Sequence, residues 1–333
     1  MPASVLATML TDVRPDELRT AGLLATVPVT NTLSAAREML PGHSGKTTPN
    51  RDGAPHMGDD DGWLAWLYDL LKPGADALRV DLAGEPVCGL RNRTVGCPVT
   101  TSKGERWMRV VTEPAQWATG PAWAGNVDAN AITGVRKPAV LDVAEWDESG
   151  RRVRAELMTL APGTRVSTDM ALRWHVDLDD EWWNELRSSL DTLAVHPTDR
   201  VCLDEQFAQR RLLAAFGVEI DTARLTCSTA HGDVHWANIT APRCWLLDWE
   251  SWGSAPTSYD AALLLCTSLL QPEIAERVHA AFADLLDTFE GHVAQLLAAA
   301  KLLGLVEYGD HPDLAVPVHR HARAIVDQIS ARR

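Results

Sequence analysis

His231-Gly232-Asp233-Val234-His235-Trp236-Ala237-Asn238-Ile239, followed by Leu246-Leu247-Asp248-Trp249-Glu250, is the stretch from which the rest of the sequence can be read. Two carboxylates, Asp233 and Asp248, and one amide, Asn238, stand on two short polar segments that read as loops joined by a hairpin. Hard oxygen ligands, few per ion, suit Mg²⁺. Asp248 can bind such an ion through its carboxylate and Asn238 through its side-chain carbonyl. Asp233 is then free to accept a proton from an attacking hydroxyl. Phosphoryl transfer divides its labour in this way, with metal for the developing charge and a carboxylate to place the nucleophile. Glu250, two residues beyond Asp248, is expected at a second metal or at a substrate hydroxyl. His231, Asp233 and His235 could instead make a transition-metal site. No third histidine or cysteine stands near them, and Asn238 would be idle, so we prefer the catalytic assignment.

His-Gly-Asp-x-His-x-x-Asn, then an apolar pair and Asp248, resembles the signature of the aminoglycoside phosphotransferase and choline kinase group. That group is similar in fold to protein kinases. The resemblance covers roughly residues 75–305 and is strongest over 228–265. It implies an α+β fold of two lobes, with ATP and Mg²⁺ in the cleft. The N-terminal lobe would be small and mixed β, and the C-terminal lobe larger and mainly helical. On the resemblance Asp233 is the catalytic aspartate, and Asn238 and Asp248 are metal ligands. Asp260, in Ser258-Tyr259-Asp260, is the aspartate that braces the catalytic loop. Leu193 to His196 resembles the group's leucine and histidine at the end of a long helix. His231 is expected to brace the catalytic loop through backbone hydrogen bonds, and His235 either to face substrate or to pack against Trp236.

The resemblance also implies a lysine in the third strand to hold the nucleotide phosphates. In Glu105-Arg106-Trp107-Met108-Arg109-Val110-Val111 the residue at that place is Arg109. A guanidinium can hold phosphate oxygens with two donors, although it is wider than an ammonium. Its carboxylate partner from the following helix would be Asp128, or else Glu113. Gly84 to Arg93 occupies the place of a phosphate-covering loop, without Gly-x-Gly-x-x-Gly spacing. The hinge after Glu156-Leu157-Met158 would offer backbone groups to adenine, with Met158 as an apolar wall. Gly42-His43-Ser44-Gly45-Lys46-Thr47 is a false Walker A loop, because Leu40 stands where its first glycine belongs and no apolar strand precedes it.

The whole chain agrees with a folded enzyme. Its 333 residues carry 31 Lys and Arg against 45 Asp and Glu, a net charge of −14, with 46% hydrophobic residues. That excludes a disordered chain and weighs against nucleic acid as a partner, since phosphate neutralisation needs clustered cations. Six scattered cysteines without Cys-x-x-Cys spacing predict reduced thiols and a cytoplasmic protein. The first residues lack the basic-then-apolar pattern of a signal peptide, and no stretch reads as the ~18 apolar residues of a membrane span, so no membrane partner is expected.

Three regions are expected. Residues 1–62 form an extension with a short helix over Arg14–Leu24 and a Gly/Pro-rich loop from 41. Residues 63–160 form the nucleotide-binding lobe. It would hold a helix ended by Pro73-Gly74, strands over 77–82, 94–100, 106–112, 139–145 and 152–158, and a helix over 121–133. Leu160 to Gly163 is the hinge. Residues 161–333 form the helical lobe, with helices over 180–193, 204–216, 259–270, 273–303 and 318–329.

These observations together predict a kinase that transfers the γ-phosphate of ATP to a hydroxyl of a small molecule. The acids of Val176 to Leu186, which include no base, could attract a cationic acceptor such as an aminoglycoside; a solvated helix start explains them equally well. Other antibiotics and metabolites fit as acceptors. A Ser/Thr kinase acting on a peptide, with a separate lyase as partner, is the alternative. A non-catalytic nucleotide-binding scaffold is a third, supported by Arg109 in the lysine position.

Overall fold

From Thr94 to Met158 the chain builds two long antiparallel hairpins. A computed structural model describes residues 60–89, 92–220 and 225–331. The expected helix over Arg14–Leu24 and the Gly42–Thr47 loop lie outside the described residues. Strand β3 (Thr94–Thr101) turns at Lys103 into β4 (Gly104–Pro114), with Gly104 at φ +98, where a side chain would be strained. Strand β5 (Val140–Glu148) turns at Ser149-Gly150 into β6 (Arg151–Met158), both turn residues having positive φ. With β1 (Asp81–Leu82) and β2 (Val87–Cys88) these make one sheet of order β1-β3-β4-β6-β5, in which β2 also pairs with β3.

One face of the sheet is closed by two helices, α1 (Asp60–Asp69) and α2 (Leu71–Leu78). Leu67, Leu70, Leu71, Ala75 and Leu78 pack there on Val95, Val99, Met108, Val110 and Ala155. Here the sequence reading needs correction. Pro73-Gly74 does not end a helix but lies in the first turn of α2, and Ala77-Leu78 are helical rather than strand. A proline in the first turn sacrifices no intrahelical hydrogen bond. Glycine at 74 permits contact with the sheet, since a Cβ there would stand 3.1 Å from that of Ala155.

Helix α3 (Gly120–Asp128) and a 3₁₀ turn at Ala129–Ala131 lead back into the sheet. Beyond β6, Thr159 donates its N–H to Ala139 O at 2.9 Å, and Gly163 (φ +83) begins the second lobe. Two small ladders carry its loops. Strand β7 (Thr164–Arg165) pairs with β9 (Thr240–Ala241), and β8 (Cys227–Ala230) with β10 (Gly253–Pro256).

Six helices enclose these ladders: α4 (Asp180–Ala194), α5 (Glu205–Phe216), α6 (Tyr259–Thr267), α7 (Pro272–Leu286), α8 (Phe289–Glu307) and α9 (Ala315–Ala331). The single helix expected over 273–303 is two, because Thr288 caps α8 by accepting the N–H of Gly291 at 2.9 Å. Helix α8 packs against α5, α6, α7 and α9 and is buried along most of its length. By length and composition it could cross a membrane, contrary to the sequence reading; its apolar residues instead form the centre of the helical core.

The lobes meet where α3 lies on the segment 249–252. A Cβ on Gly125 would fall 2.6 Å from Trp249 O and from Glu250 Cα and O. Trp252 Nε1 donates to Gly125 O at 2.9 Å. The buried Asn126 accepts the Trp249 N–H on Oδ1 at 2.9 Å and donates from Nδ2 to Glu156 at 2.9 Å. Gly125→Val should therefore force α3 away from this segment. A loss of about 1–3 kcal/mol is typical of overpacking at a close contact. A clear fall in melting temperature is the expected calorimetric result, and an unchanged melting curve would contradict the close docking.

Candidate functional site

The loop of residues 231–238 leaves β8 at Ala230 and is fixed at its first two residues. Asp260, in the first turn of α6, accepts His231 N–H on Oδ2 at 2.7 Å and Gly232 N–H on Oδ1 at 2.8 Å. Gly232 has φ +80, and a Cβ there would lie 2.7 Å from Ser251 O. His231 is fully buried, which holds its pKa below the usual imidazole value and keeps it neutral. Its Nε2 lies 3.0 Å from Leu247 O, and Nδ1 lies 3.3 Å from Asp233 N. An Nε2–H donating to the carbonyl, with Nδ1 accepting from the amide, satisfies the ring. Neither nitrogen remains for a metal, so His231 is a brace for Asp233 and the transition-metal alternative fails.

Asp233 is held from two sides. Lys301 Nζ, on α8, donates to Oδ1 at 2.7 Å, and Asn238 Nδ2 donates to Oδ2 at 3.2 Å. Burial alone would raise its pKa, but the Lys301 ammonium and His235 outweigh burial and hold the carboxyl well below the usual range. It is therefore ionised and able to take a proton. Burial would lower the Lys301 pKa, and the attraction of Asp233 raises it instead. Lys301 was not anticipated from the sequence. The available signal was a lone Lys in the apolar run Leu296–Leu305, since a charge buried on such a helix requires a partner.

His235 is buried, with Nε2 3.4 Å from Asp233 Oδ2 and 3.2 Å from Asn238 Nδ2. It lines the back of Asp233. Asn238, at the end of a 3₁₀ turn (Trp236–Asn238), directs its amide nitrogen at Asp233 O, 3.1 Å away, at Asp233 Oδ2 and at His235. With its nitrogen engaged, the carbonyl oxygen is the end left for a cation. Leu247 N–H donates to Asn238 O at 2.8 Å, so the two loops are bound together immediately before Asp248. Asp248 has φ +61, and its side chain is 44% exposed, open to a ligand. One amide oxygen and one carboxylate fit Mg²⁺, which takes few protein ligands and completes its shell with water and phosphate. Among the described residues no group of three His, Cys, Asp or Glu forms a caged metal site.

The charged residues of the N-terminal lobe are partnered differently from expectation. Arg109 on β4 stands opposite Glu156 on β6 in register and pairs with it at 3.3 Å. It also pairs closely with Glu250, and its Nη2 lies 3.8 Å from Asp248 Oδ1. Asp128 is not its partner: at the end of α3 it pairs with Arg200 at 2.7 Å. At the helix position facing Glu156 stands Asn126, so the carboxylate that balances Arg109 comes from the neighbouring strand. Glu156 is thus an ion-pair residue with 1% exposure, not a hinge group. Glu113 lies 3.9 Å from Arg93. Met158 is buried as the last residue of β6, next to the segment that joins the lobes. Glu250, expected as a metal ligand, is claimed by Arg93 and Arg109 because two largely buried guanidiniums require a carboxylate.

Arg93 is the second residue that sequence reasoning missed. It ends the loop that leads into β3. Burial and the nearby Arg109 lower its pKa, while Asp248, Glu113 and Asp233 act in the opposite direction. It therefore shares the field of the two catalytic-loop carboxylates. The signal was a basic run, Arg91-Asn92-Arg93, at the end of a segment placed over the phosphates.

Beside the catalytic loop lies a cavity of about 410 Å³, lined among others by Cys202, Arg210, Gly232, Tyr259 and Lys301. Four of the five acids of the 176–186 segment are engaged elsewhere. Asp179 caps α4 at Trp182 N, Asp180 pairs with Arg277, Glu181 with Arg243, and Glu185 with both Arg136 and Arg243.

Neither a protein-family model nor a curated relative matches the sequence. Solved structures do. Aminoglycoside phosphotransferase APH(4)-Ia superposes with a TM-score of 0.54 at 12% identity, covering 79% of this chain and 98% of that one. A thermostable mutant of that enzyme, in ternary complex with ADP and hygromycin B, gives 0.52 at 11% identity, covering 78% and 97%. A second thermostable mutant, with AMP-PNP and hygromycin B, gives 0.52 at 12% identity, covering 79% and 98%. At such identities the likeness is one of fold: this chain has the two-lobed α+β architecture of the aminoglycoside phosphotransferases, which the loop signature led us to expect.

Proposed function

We propose that the protein is a phosphotransferase that uses Mg²⁺ and ATP to phosphorylate a hydroxyl of a small molecule. The observation that carries the proposal is Asp233, ionised and fixed between Lys301 and Asn238, with the Asn238 carbonyl and the Asp248 carboxylate left for a cation. The fold shared with enzymes solved in complex with ADP or AMP-PNP supports the choice of nucleotide.

When bound, Mg²⁺ and ATP supply the phosphoryl donor and the positive charge that offsets its oxygens. Asn238 and Asp248 would hold the metal. Arg109 and Arg93 provide guanidiniums for phosphate oxygens, a bidentate geometry well suited to them. Their present carboxylate, Glu250, would have to yield one of them or move with both. Asp233 orients the acceptor O–H and takes its proton once transfer is under way. His231 and Asp260 keep that carboxylate in place without touching substrate.

The pocket of about 410 Å³ beside Gly232 and Lys301 is of a size that suits a small acceptor. The complete set of Asp233, Asn238 and Asp248 favours catalysis over a scaffold.

Three outcomes test the assignment. Transfer to water needs no known acceptor. In Asp233→Asn, single-turnover ATP hydrolysis should fall by ~10²–10⁴-fold, the usual loss for a positioned acid–base group, while Mg²⁺-ATP still binds. The protein should also melt at a lower temperature, because Lys301 loses its counter-charge. Near-normal hydrolysis by the folded variant would remove Asp233 from the mechanism. In Asp248→Ala, calorimetry should show weakened binding of Mg²⁺-ATP and little change for metal-free ATP; equal metal dependence would refute the ligand assignment. Arg93→Ala and Arg109→Ala should each weaken ATP by about tenfold or more if each guanidinium bonds a phosphate, given the strength of charge-assisted hydrogen bonds. Unchanged ATP affinity in either would exclude that residue.

A further inference from the structure

The cavity next to the Asp233–Lys301 pair has one cation at its lining that no carboxylate balances. Two cationic side chains line it, Lys301 from α8 and Arg210 from α5. Its one lining carboxylate is Asp204, whose Oδ1 already caps α5 by accepting Phe207 N–H at 2.9 Å. Three acids of α4, Asp180, Glu181 and Glu185, pair with Arg277, Arg243 and Arg136. Lys301 is nearly neutralised by Asp233, but its ammonium has three donors. One goes to Asp233 Oδ1, and a second reaches Gly232 O at 3.3 Å. Arg210 is an exposed lining residue and has no ion-pair partner among the described residues. An ammonium entering this cavity would meet the Arg210 guanidinium and a lysine whose charge Asp233 already balances, whereas a carboxylate or phosphate would meet a guanidinium without an ion-pair partner and a lysine with a donor to spare.

We propose that the acceptor is a small hydroxylated anion, bearing a carboxylate or a phosphate, that sets its anionic group at Arg210 and its hydroxyl at Asp233 beneath Lys301. The inference rests on the phosphotransferase assignment above. In the reaction the hydroxyl oxygen forms a bond to the γ-phosphorus, and the bond from that phosphorus to the β,γ-bridging oxygen breaks. The proton passes to Asp233, and the products are ADP and a phosphate monoester. The cavity of about 410 Å³ is large enough for a molecule of sugar-acid or sugar-phosphate size and lies within the range common for small-ligand sites. Arg210 would act in binding and selectivity, and Lys301 in holding both the catalytic carboxylate and the incoming oxygen.

The test begins with the protein saturated with Mg²⁺-ADP, which fills the α- and β-phosphate positions; an anion held at the open γ-phosphate position is recognised by its indifference to Arg210→Glu. Four probes are then titrated by calorimetry: inorganic phosphate, glycerate, neutral glycerol and the polycation hygromycin B. Phosphate and glycerate should bind in preference to glycerol and hygromycin B, and the stronger of the two identifies the class of anion. Arg210→Glu, at an exposed position where the fold should tolerate it, should weaken the anions by about tenfold or more, as expected for losing a charge-assisted contact and adding a like charge. A melting curve and Mg²⁺-ADP affinity equal to those of the parent protein show that the variant is folded. The proposal is overturned if hygromycin B binds the parent more tightly than either anion. It is equally overturned if neither anion binds at millimolar concentration, or if Arg210→Glu binds them as well as the parent does. Failure of Mg²⁺-ADP itself to bind would instead defeat the phosphotransferase assignment, so the two failures are distinguishable.

Discussion

One buried amide, that of Asn126, bonds to both halves of this protein at the centre of their contact. Its nitrogen binds Glu156 in the sheet, and its oxygen holds the backbone of Trp249, one residue after Asp248. A buried amide whose partners come from both lobes ties them together, because separating them would leave polar groups unsatisfied away from water. Gly125 lets the helix backbone come close enough for the bond to form. Arg109 then follows, since Glu156 turns it toward Glu250 and the metal loop. Arg109 and Glu156 are thus positioned through one helix that supplies an amide where a carboxylate was expected.

The catalytic side rests on a different economy. Asp260 secures the first two amides of the loop, His231 links that loop to the carbonyl before Asp248, and Asn238 links Asp233 to the metal side. Each of these residues is fixed by hydrogen bonds from neighbouring backbone, so little reorganisation is needed to present the carboxylate. Lys301 supplies the compensating charge from the core helix. That cost is tolerable because a buried carboxylate without a partner would tend to become protonated and so lose its use as a base.

Much of this was legible in the sequence, and the reasons are physical. Asp233, Asn238 and Asp248 lie within one local stretch, and short-range geometry keeps them together. Asp260 was assigned through the resemblance of Ser258-Tyr259-Asp260 to the group's bracing aspartate. The hairpins at Lys103 and Ser149-Gly150 announced themselves through turn chemistry. What could not be read came from pairings across long separations. The Arg93–Glu250 and Asp233–Lys301 pairs join residues far apart in the chain, and Asp128 was assigned to Arg109 only because Arg200, from the other lobe, was invisible as a competitor. Likewise Pro73-Gly74 resembles a helix stop until the sheet surface beneath α2 gives the glycine a packing role.

The central claim is that Asn238 and Asp248 hold the metal while Asp233 faces the group to be transferred. A crystal structure with AMP-PNP and Mn²⁺ in place of Mg²⁺ tests it most directly, because the anomalous signal of manganese marks the ion independently of the coordinates. The account predicts a peak within about 2.0–2.3 Å of the Asp248 carboxylate and the Asn238 carbonyl oxygen, the span of oxygen distances for such hard cations, with the terminal phosphate between it and Asp233. A peak distant from both residues, or a terminal phosphate turned away from Asp233, would contradict it.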